Sequence, residues 1–321
     1  MEIGYNIEKA AEIIKDGGLV SFPTETVYGL GGDGLNPKAI AKIFEAKKRP
    51  SFDPLILHIS SLDQLDKVLK KPIDKRFIQL AEVFWPGPLT IVHEKSEAVP
   101  YLATSNLNTV AIRMPEHPIA LELIRLANTP IAAPSANLFG RLSPTTAQHV
   151  AQQLTTIDYI LDGGNTRYGV ESTIVYLSNN DTIEILRPGA ITAPMLKAAL
   201  PSQNIVIREK HELPDAPGML DSHYAPQKPL ILFDEVPDNS DKSIALILPN
   251  EAKPVKSAVG RVIYLSKNGD GVEMASNLFS ALHSLEDDPE VERIHAQRLP
   301  EEGIAIAIMD RLNKASFKWR G

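Results

Sequence analysis

The chain contains no cysteine. That excludes disulfide frameworks, thiolate nucleophiles and cysteine-ligated zinc together. It also lacks a long apolar run: nothing approaches the roughly 20 residues that a membrane-spanning helix needs. The first ten residues show no apolar core behind a basic stretch of the kind that directs secretion, so the expected location is the cytoplasm. Positive charge is in short supply as well. Lys and Arg total 33 against 40 Asp and Glu, a formal net charge of -7. Such a chain is not built to hold nucleic acid over its whole surface, although a local basic cleft remains compatible with it. No G-x-x-x-x-G-K-[ST] loop occurs, so any ATP must be held by other means.

What is present suits a buried core. The 321 residues are long for one domain and comfortable for two, with 43% hydrophobic and 23% charged residues. Asn6 is placed to cap a helix that stops at Gly17-Gly18, and Leu19 to Phe22 reads as a strand. Asn36-Pro37 opens a second helix with Ile40, Ile43 and Phe44 on one face. Strands are expected at Leu55 to Ile59, Leu89 to His93, Thr109 to Met114, Tyr159 to Leu161, Thr173 to Leu177 and Ile183 to Leu186. Helical periodicity separates them at Leu62 to Leu69, Phe77 to Phe84, Ile119 to Ala127 and Thr146 to Leu154. The mixture predicts a layered α/β or α+β unit over residues 1–209.

Residues 210–229 carry Pro214, Pro217, Pro226 and Pro229 without helical or strand period, and read as a connection. Beyond it, strands at Leu230 to Phe233, Ile244 to Leu248, Val262 to Leu265 and Val291 to Ile294 alternate with helices. One helix carries Met274, Leu278, Leu282 and Leu285, and the last spans Gly303 to Ala315. This predicts a smaller, Rossmann-like parallel α/β domain over residues 230–321.

Gly29-x-Gly31-x-x-Gly34 matches a dinucleotide fingerprint in form, with Asp53 about 20 residues on. The context is wrong, because Pro23 to Tyr28 intervene after the strand and the next helix begins only near Pro37. Lys47 is more informative. It follows Phe44 by three residues and Ile43 by four, so it shares their inward stripe. A core-facing lysine is costly unless it meets an anion, yet a cation here could equally complement the helix C-terminus. Strand alternation puts Thr109, Ala111 and Arg113 on one face. Arg113 there needs an anion, either a ligand or a structural carboxylate. His58, taken alone, fits a hydrogen-bonded core histidine as well as a ligand. Ile131 to Asn137 ends a buried strand in small hydroxyl and amide residues, Ser135 and Asn137, which permit close approach of a ligand. Ser143-Pro144 opens the next helix, and Arg187 precedes a Pro-Gly turn. On these residues alone, Lys47-x-Arg49 and Ser135-x-Asn137 could form an anion-binding centre or merely complement a helix end and a turn.

The ordered set is far more specific than its parts. Phe22-Pro-Thr-Glu-Thr-Val-Tyr-Gly-Leu-Gly31, Ala46-Lys-Lys-Arg-Pro50, Pro54-Leu-Ile-Leu-His58, Trp85-Pro-Gly-Pro-Leu-Thr90, Pro134-Ser-Ala-Asn137 and Glu171-Ser-Thr-Ile174 follow one another. Together they resemble the YrdC-type L-threonylcarbamoyladenylate synthase family over roughly Ile7 to Leu200. Pro217-Gly-Met219, His223-Tyr-Ala-Pro226, Ala307-Ile-Met-Asp-Arg-Leu312 and Lys314-Ala-Ser316 extend the resemblance to its long, two-domain form.

The resemblance implies a twisted mixed sheet with an open basic cavity. It implies synthesis of threonylcarbamoyl-AMP and pyrophosphate from L-threonine, bicarbonate and ATP, with Mg²⁺ carried by ATP. A partner complex then transfers the threonylcarbamoyl group to a tRNA adenosine beside the anticodon. Carried over by position, Lys47, Arg49, Ser135 and Asn137 form the reacting centre. Threonine is implied to meet Thr26, His58, Arg113, Ala133 and Ser172. The nucleotide is implied to meet Arg49, Asp53, Thr109, Ser135, Ser143 and Arg187, with His223 reaching in from a linker that acts as a lid. Asp53 stands where the family usually has asparagine, which adds a negative charge there. Leu220, Asp221 and Ser222 replace a sequence that is commonly basic and carries tyrosine. The competing expectation is an RNA-binding or ribosome-assembly module using the same basic cavity. Against it stand the acidic balance and the absence of an aromatic stacking platform.

Overall fold

The computed structural model describes residues 1–179, 181–208, 217, 220, 223–236, 241–252 and 259–319. Local rules account for the helix boundaries. The Asn6 side chain accepts from Lys9 N–H at the start of α1 (Ile7–Lys15), after β1 (Glu2–Gly4), and the chain turns back at Gly17 with φ 74°. β2 (Val20–Phe22) and β3 (Gly29–Asp33) follow. Asn36 caps α2 (Pro37–Lys47), with Pro37 at its first position and Lys48 closing it in the left-handed region. Then come β4 (Ile56–His58), α3 (Leu65–Val68), α4 (Lys75–Phe84), β5 (Leu89–Glu94), β6 (Thr109–Arg113), α5 (Pro118–Ala127) and β7 (Ile131–Ala132). α6 (Ala147–Gln153), β8 (Tyr159–Leu161), β9 (Thr173–Asn179), β10 (Thr182–Arg187), α7 (Ala193–Ala199) and β11 (Asn204–Ile207) complete the first part.

These strands form one mixed sheet in the order β1-β8-β2-β3-β7-β4-β6-β5-β9-β10-β11. Its main core takes the odd residues of β4 and its flanks (Leu55, Leu57, Ile59) and the even ones of β6 (Val110, Ile112). Strand alternation therefore leaves Ile56, His58, Ala111 and Arg113 on the opposite face. That face carries a small apolar patch of Ile56, Val92, Ala111, Ile174 and Leu186.

A second sheet holds β12 (Leu230–Phe233), β13 (Ile244–Leu248), β14 (Arg261–Tyr264) and β15 (Arg293–Gln297), all parallel, in the order β12-β15-β13-β14. α8 (Gly271–Asp287) and α9 (Ala305–Ser316) pack against it. The parallel sheet matches the expectation from sequence. β15 starts two residues later than expected because Val291 is buried in a turn, its N–H donating to Asp288 O.

The two sheets share packing. Val27, Leu142 and Val170 from the first part bury against α8 and α9. Gly169, at φ 66°, touches α8 so closely that an added Cβ would meet Ser276 O at 2.5 Å. Of the expected linker, residues 210–216, 218, 219, 221 and 222 lie outside the described residues, Pro214, Asp221 and Ser222 among them. His223 and Tyr224 are buried between the sheets. No helix among the described residues is long and apolar enough to cross a membrane.

Candidate active site

β4 and β6 run parallel with His58 opposite Arg113, so both side chains reach the same end of the sheet face. The chain leaving β7 brings Ala133, Pro134 and Ser135 beside them, held by a bridge between Gly29 and Ser135. Arg49 arrives from the end of α2 and Arg187 from the end of β10. Pro217, His223 and Tyr224 complete the lining. Thr26, Arg49, His58 and Arg113 thus line one cavity with Ala133, Ser135, Arg187 and His223. It measures about 40 Å³, room for a few waters. A larger cavity, of about 720 Å³, lies at the carboxyl ends of the small sheet and gathers none of these residues.

Charge is concentrated at the small cavity and shielded from bulk water. Arg49, Arg113 and Arg187 are buried, as is Lys47 behind the wall. Helix phase correctly turned Lys47 inward, but its partners are carbonyls: Nζ donates to Ser135 O at 2.6 Å and to Asn137 O. Burial, and then the Arg49 charge, push the Lys47 ammonium well below its ordinary range. Arg49 Nη2 lies 2.9 Å from Asp53 Oδ2, and its Nε and Nη2 also donate to Asp53 O and Pro54 O. Burial raises Asp53 and lowers Arg49 despite their mutual attraction, so desolvation outweighs the pairing on both sides. Arg113 has its structural carboxylate in Glu25, at 2.7 Å and off the hydrogen-bond direction. Its Nε donates to Gly87 O at 3.3 Å.

Arg187 donates from Nε to Ser172 O and from Nη2 to Ser172 Oγ, both at 3.0 Å, while Ser172 Oγ also bonds Thr90 Oγ1. Burial lowers Arg187. Ser143 Oγ donates to Glu171 Oε1. Burial pushes Glu171 up, but Arg311 and Arg187, with hydrogen bonds from Ser143 and Arg311, overcome this and hold it below the usual range. Burial, and then Arg113, bring His58 down to about 3, with its Nδ1 lacking a partner among the described residues. Burial, and then Arg49 and Lys47, hold His223 well below its ordinary value. Both imidazoles are neutral at physiological pH and so add polarity without adding charge.

The expected residues therefore divide three ways. Eight line the cavity. Lys47, Asp53, Asn137, Ser143 and Ser172 stand behind it and hold the wall. Asn137, for instance, spends its Nδ2 on Leu138 O and Arg141 O, leaving Oδ1 buried without a partner. Thr109 is not brought to this cavity. It lies at the far end of β6 beside Val92 and Tyr176, four residues and about 13 Å along the strand from Arg113. Asp53, singled out as a departure toward the nucleotide, instead faces Arg49 and has no exposed surface.

Glu25, Glu171 and Arg311 carry much of the charge balance and received no role from sequence. Arg311 was detectable. It lies three residues after Ile308 and four before Ala315, on the inward face of α9, by the same phase argument that singled out Lys47.

A family model described as telomere recombination, covering Sua5, YciO and YrdC proteins, matches residues 12–189. A model described as threonylcarbamoyl-AMP synthase, C-terminal domain, matches residues 191–316. The threonylcarbamoyl-AMP synthase of Pyrococcus abyssi is 44% identical, covering 97% of this chain and 94% of its own length. That of Bacillus subtilis is 40% identical, covering 97% and 92%. The crystal structure of P. abyssi Sua5 complexed with L-threonine superposes with a TM-score of 0.88 at 39% identity, covering 98% of this chain and 97% of that one.

Proposed function

The chain belongs to the threonylcarbamoyl-AMP synthase family, and on that footing we propose that it joins L-threonine, bicarbonate and ATP into threonylcarbamoyl-AMP with release of pyrophosphate. The observation that carries this reading is the convergence of Arg49, Arg113 and Arg187 on one water-poor cavity with the neutral rings of His58 and His223. The threonine amine attacks bicarbonate and water is lost. A carbamate oxygen then attacks the α-phosphorus of ATP, and pyrophosphate leaves. No protein nucleophile is needed. Carboxylate, carbamate and triphosphate must be held together, which calls for fixed cations in a site of low dielectric.

Threonine is assigned to the end of the face formed by Thr26, His58, Arg113 and Ala133, its carboxylate competing with Glu25 for Arg113. Ser172 acts through Arg187. Arg49, Ser135, Arg187 and His223 take the phosphates. Lys47 and Asn137 shape the Ser135 turn, and Ser143 and Asp53 hold the wall. The nucleoside extends over the apolar patch of Ile56, Val92, Ala111, Ile174 and Leu186 toward Thr109. Mg²⁺ enters as part of the nucleotide substrate, since Asp53 and Glu171 are already paired with Arg49 and Arg311.

A cavity of about 40 Å³ must enlarge to admit ATP. Pro217, His223 and Tyr224 are the segment that would have to lift, which supports a lid role for the linker and protects carbamate from water once closed. We read residues 1–209 as the catalytic unit, 210–229 as the linker and 230–321 as the second domain. The product would pass to a complex that modifies a tRNA adenosine beside the anticodon. The RNA-binding alternative finds little support, because the cavity arginines are buried and out of reach of a polymer backbone. The test is incubation with Mg²⁺-ATP, bicarbonate and each of threonine, serine and glycine, identifying the adenylate by mass. A threonine-dependent adenylate is expected, and its absence would sink the reading.

A further inference from the structure

Arg311 belongs to α9, against the small sheet, yet its side chain is fully buried against the turns that carry the cavity wall. Nε donates to Glu171 Oε2 at 2.8 Å and Nη2 points at Glu171 O at 3.4 Å. Nη1 donates to Pro188 O at 2.9 Å and to Asp310 Oδ2 at 2.7 Å. The residues it grips bracket Arg187 in two ways. Pro188 follows Arg187 in the chain, and Glu171 precedes Ser172, whose carbonyl and hydroxyl receive the Arg187 guanidinium. The two turns are pressed together, since a Cβ on Gly189 would meet Thr173 N at 2.3 Å and Ser172 C at 2.7 Å. The Arg311 guanidinium also lies 5.3 Å from the ring centroid of Tyr224, which lines the cavity.

We infer that Arg311 is a positioning residue for the reaction: from the C-terminal part of the chain it fixes Arg187, through Glu171 and Pro188, at the place where the nucleotide phosphates bind. This rests on the functional reading above and gives the second sheet a part in that site. A guanidinium suits the task because its planar fork bonds a carboxylate and separate carbonyls in fixed directions, whereas an ammonium supplies charge without that geometry. Glu171 is needed between them, because two buried arginines would otherwise repel each other.

The experiment compares the full-length wild type with Arg311→Met, Arg311→Lys and Glu286→Gln. Glu286 makes a half-buried ion pair between the two parts, with Arg141 at 2.8 Å, and neither residue lines the cavity. Threonine-dependent pyrophosphate release is measured against ATP concentration, together with Tm. Arg311→Met should lower kcat/KM for ATP roughly 10- to 100-fold, the range expected when a remote change misplaces a reacting group. Arg311→Lys should recover part of that loss, and Glu286→Gln should keep wild-type kcat/KM. Equal kcat/KM in Arg311→Met and Glu286→Gln would overturn the inference, reducing Arg311 to a docking contact. If Arg311→Met does not fold, the comparison passes to Arg311→Lys. A lowered kcat/KM at a Tm no lower than that of Glu286→Gln supports positioning, and unchanged kcat/KM overturns it. A wild type without threonine-dependent turnover would instead overturn the functional reading.

Discussion

Arg49 and Asp53 form a buried ion pair, Nη2 to Oδ2 at 2.9 Å, in which each partner's charged state is disfavoured by burial. An incoming triphosphate therefore competes with a carboxylate already in place. Asp53→Asn should leave Arg49 with carbonyl partners only and lower stability by about 3 kcal/mol, the low end for breaking a buried pair. Mg²⁺-ATP should then raise Tm more in the variant than in the wild type. An equal rise in both would show that Asp53 does not compete with the nucleotide.

His58 gives a pH signature of definite sign. Its ordinary value is 6.5 and its folded value about 3. The unfolded chain takes up a proton there first as pH falls, so the stability contribution is full above pH 6.5 and is lost on acidification toward about 3. His149 and His223 shift in the same direction, so the effect of one residue is a fraction of the whole. Tm measured against pH should fall less steeply over that range in His58→Asn than in the wild type. Parallel curves would show that His58 is not held neutral.

Lys47 ties two carbonyls of the Ser135 turn together. Lys47→Met should lower threonine-dependent pyrophosphate release roughly 100-fold, the range for misplacing a group that holds substrate. Wild-type release would show that the Ser135 turn keeps its shape without Lys47.

Gly169 sets how closely the two sheets approach. Gly169→Ala would drive a Cβ into Ser276 O and Ala275 O at 2.5 and 2.7 Å, from a φ of 66° that alanine adopts poorly. A loss of about 1–3 kcal/mol is expected, as for other forced overpacking. Limited proteolysis should more readily separate the two sheet-bearing parts. An unchanged digestion pattern and Tm would mean that the interface yields easily.

Much of this was legible because it is local. Asn6 and Asn36 announced their helices, and alternation put Arg113 and His58 on one face of neighbouring strands. Helix phase turned Lys47 inward. What each buried cation meets was not legible, because partners distant in sequence decide it. Lys47 meets two carbonyls, Arg113 meets Glu25, and Asp53 turns to Arg49. Thr109 shares a face with Arg113, as alternation requires, but alternation does not say which end of that face borders the cavity. The phase of α9 turns Arg311 inward, but nothing local says that it meets Glu171, which lies 140 residues away in sequence.

The order of the small sheet has a consequence for how the molecule is made. β15 lies between β12 and β13, so those two earlier strands have no common neighbour until residues 293–297 have been synthesised. Translation proceeds from the N-terminus at about 5–20 residues per second, and domains tend to fold as they emerge. The large sheet can thus assemble while the small one is still missing its middle, and α9 with Arg311 arrives later still. A ribosome-bound chain would carry the walls of the cavity well before the brace on Arg187. Whatever that brace contributes to ATP turnover therefore waits until α9 has been made.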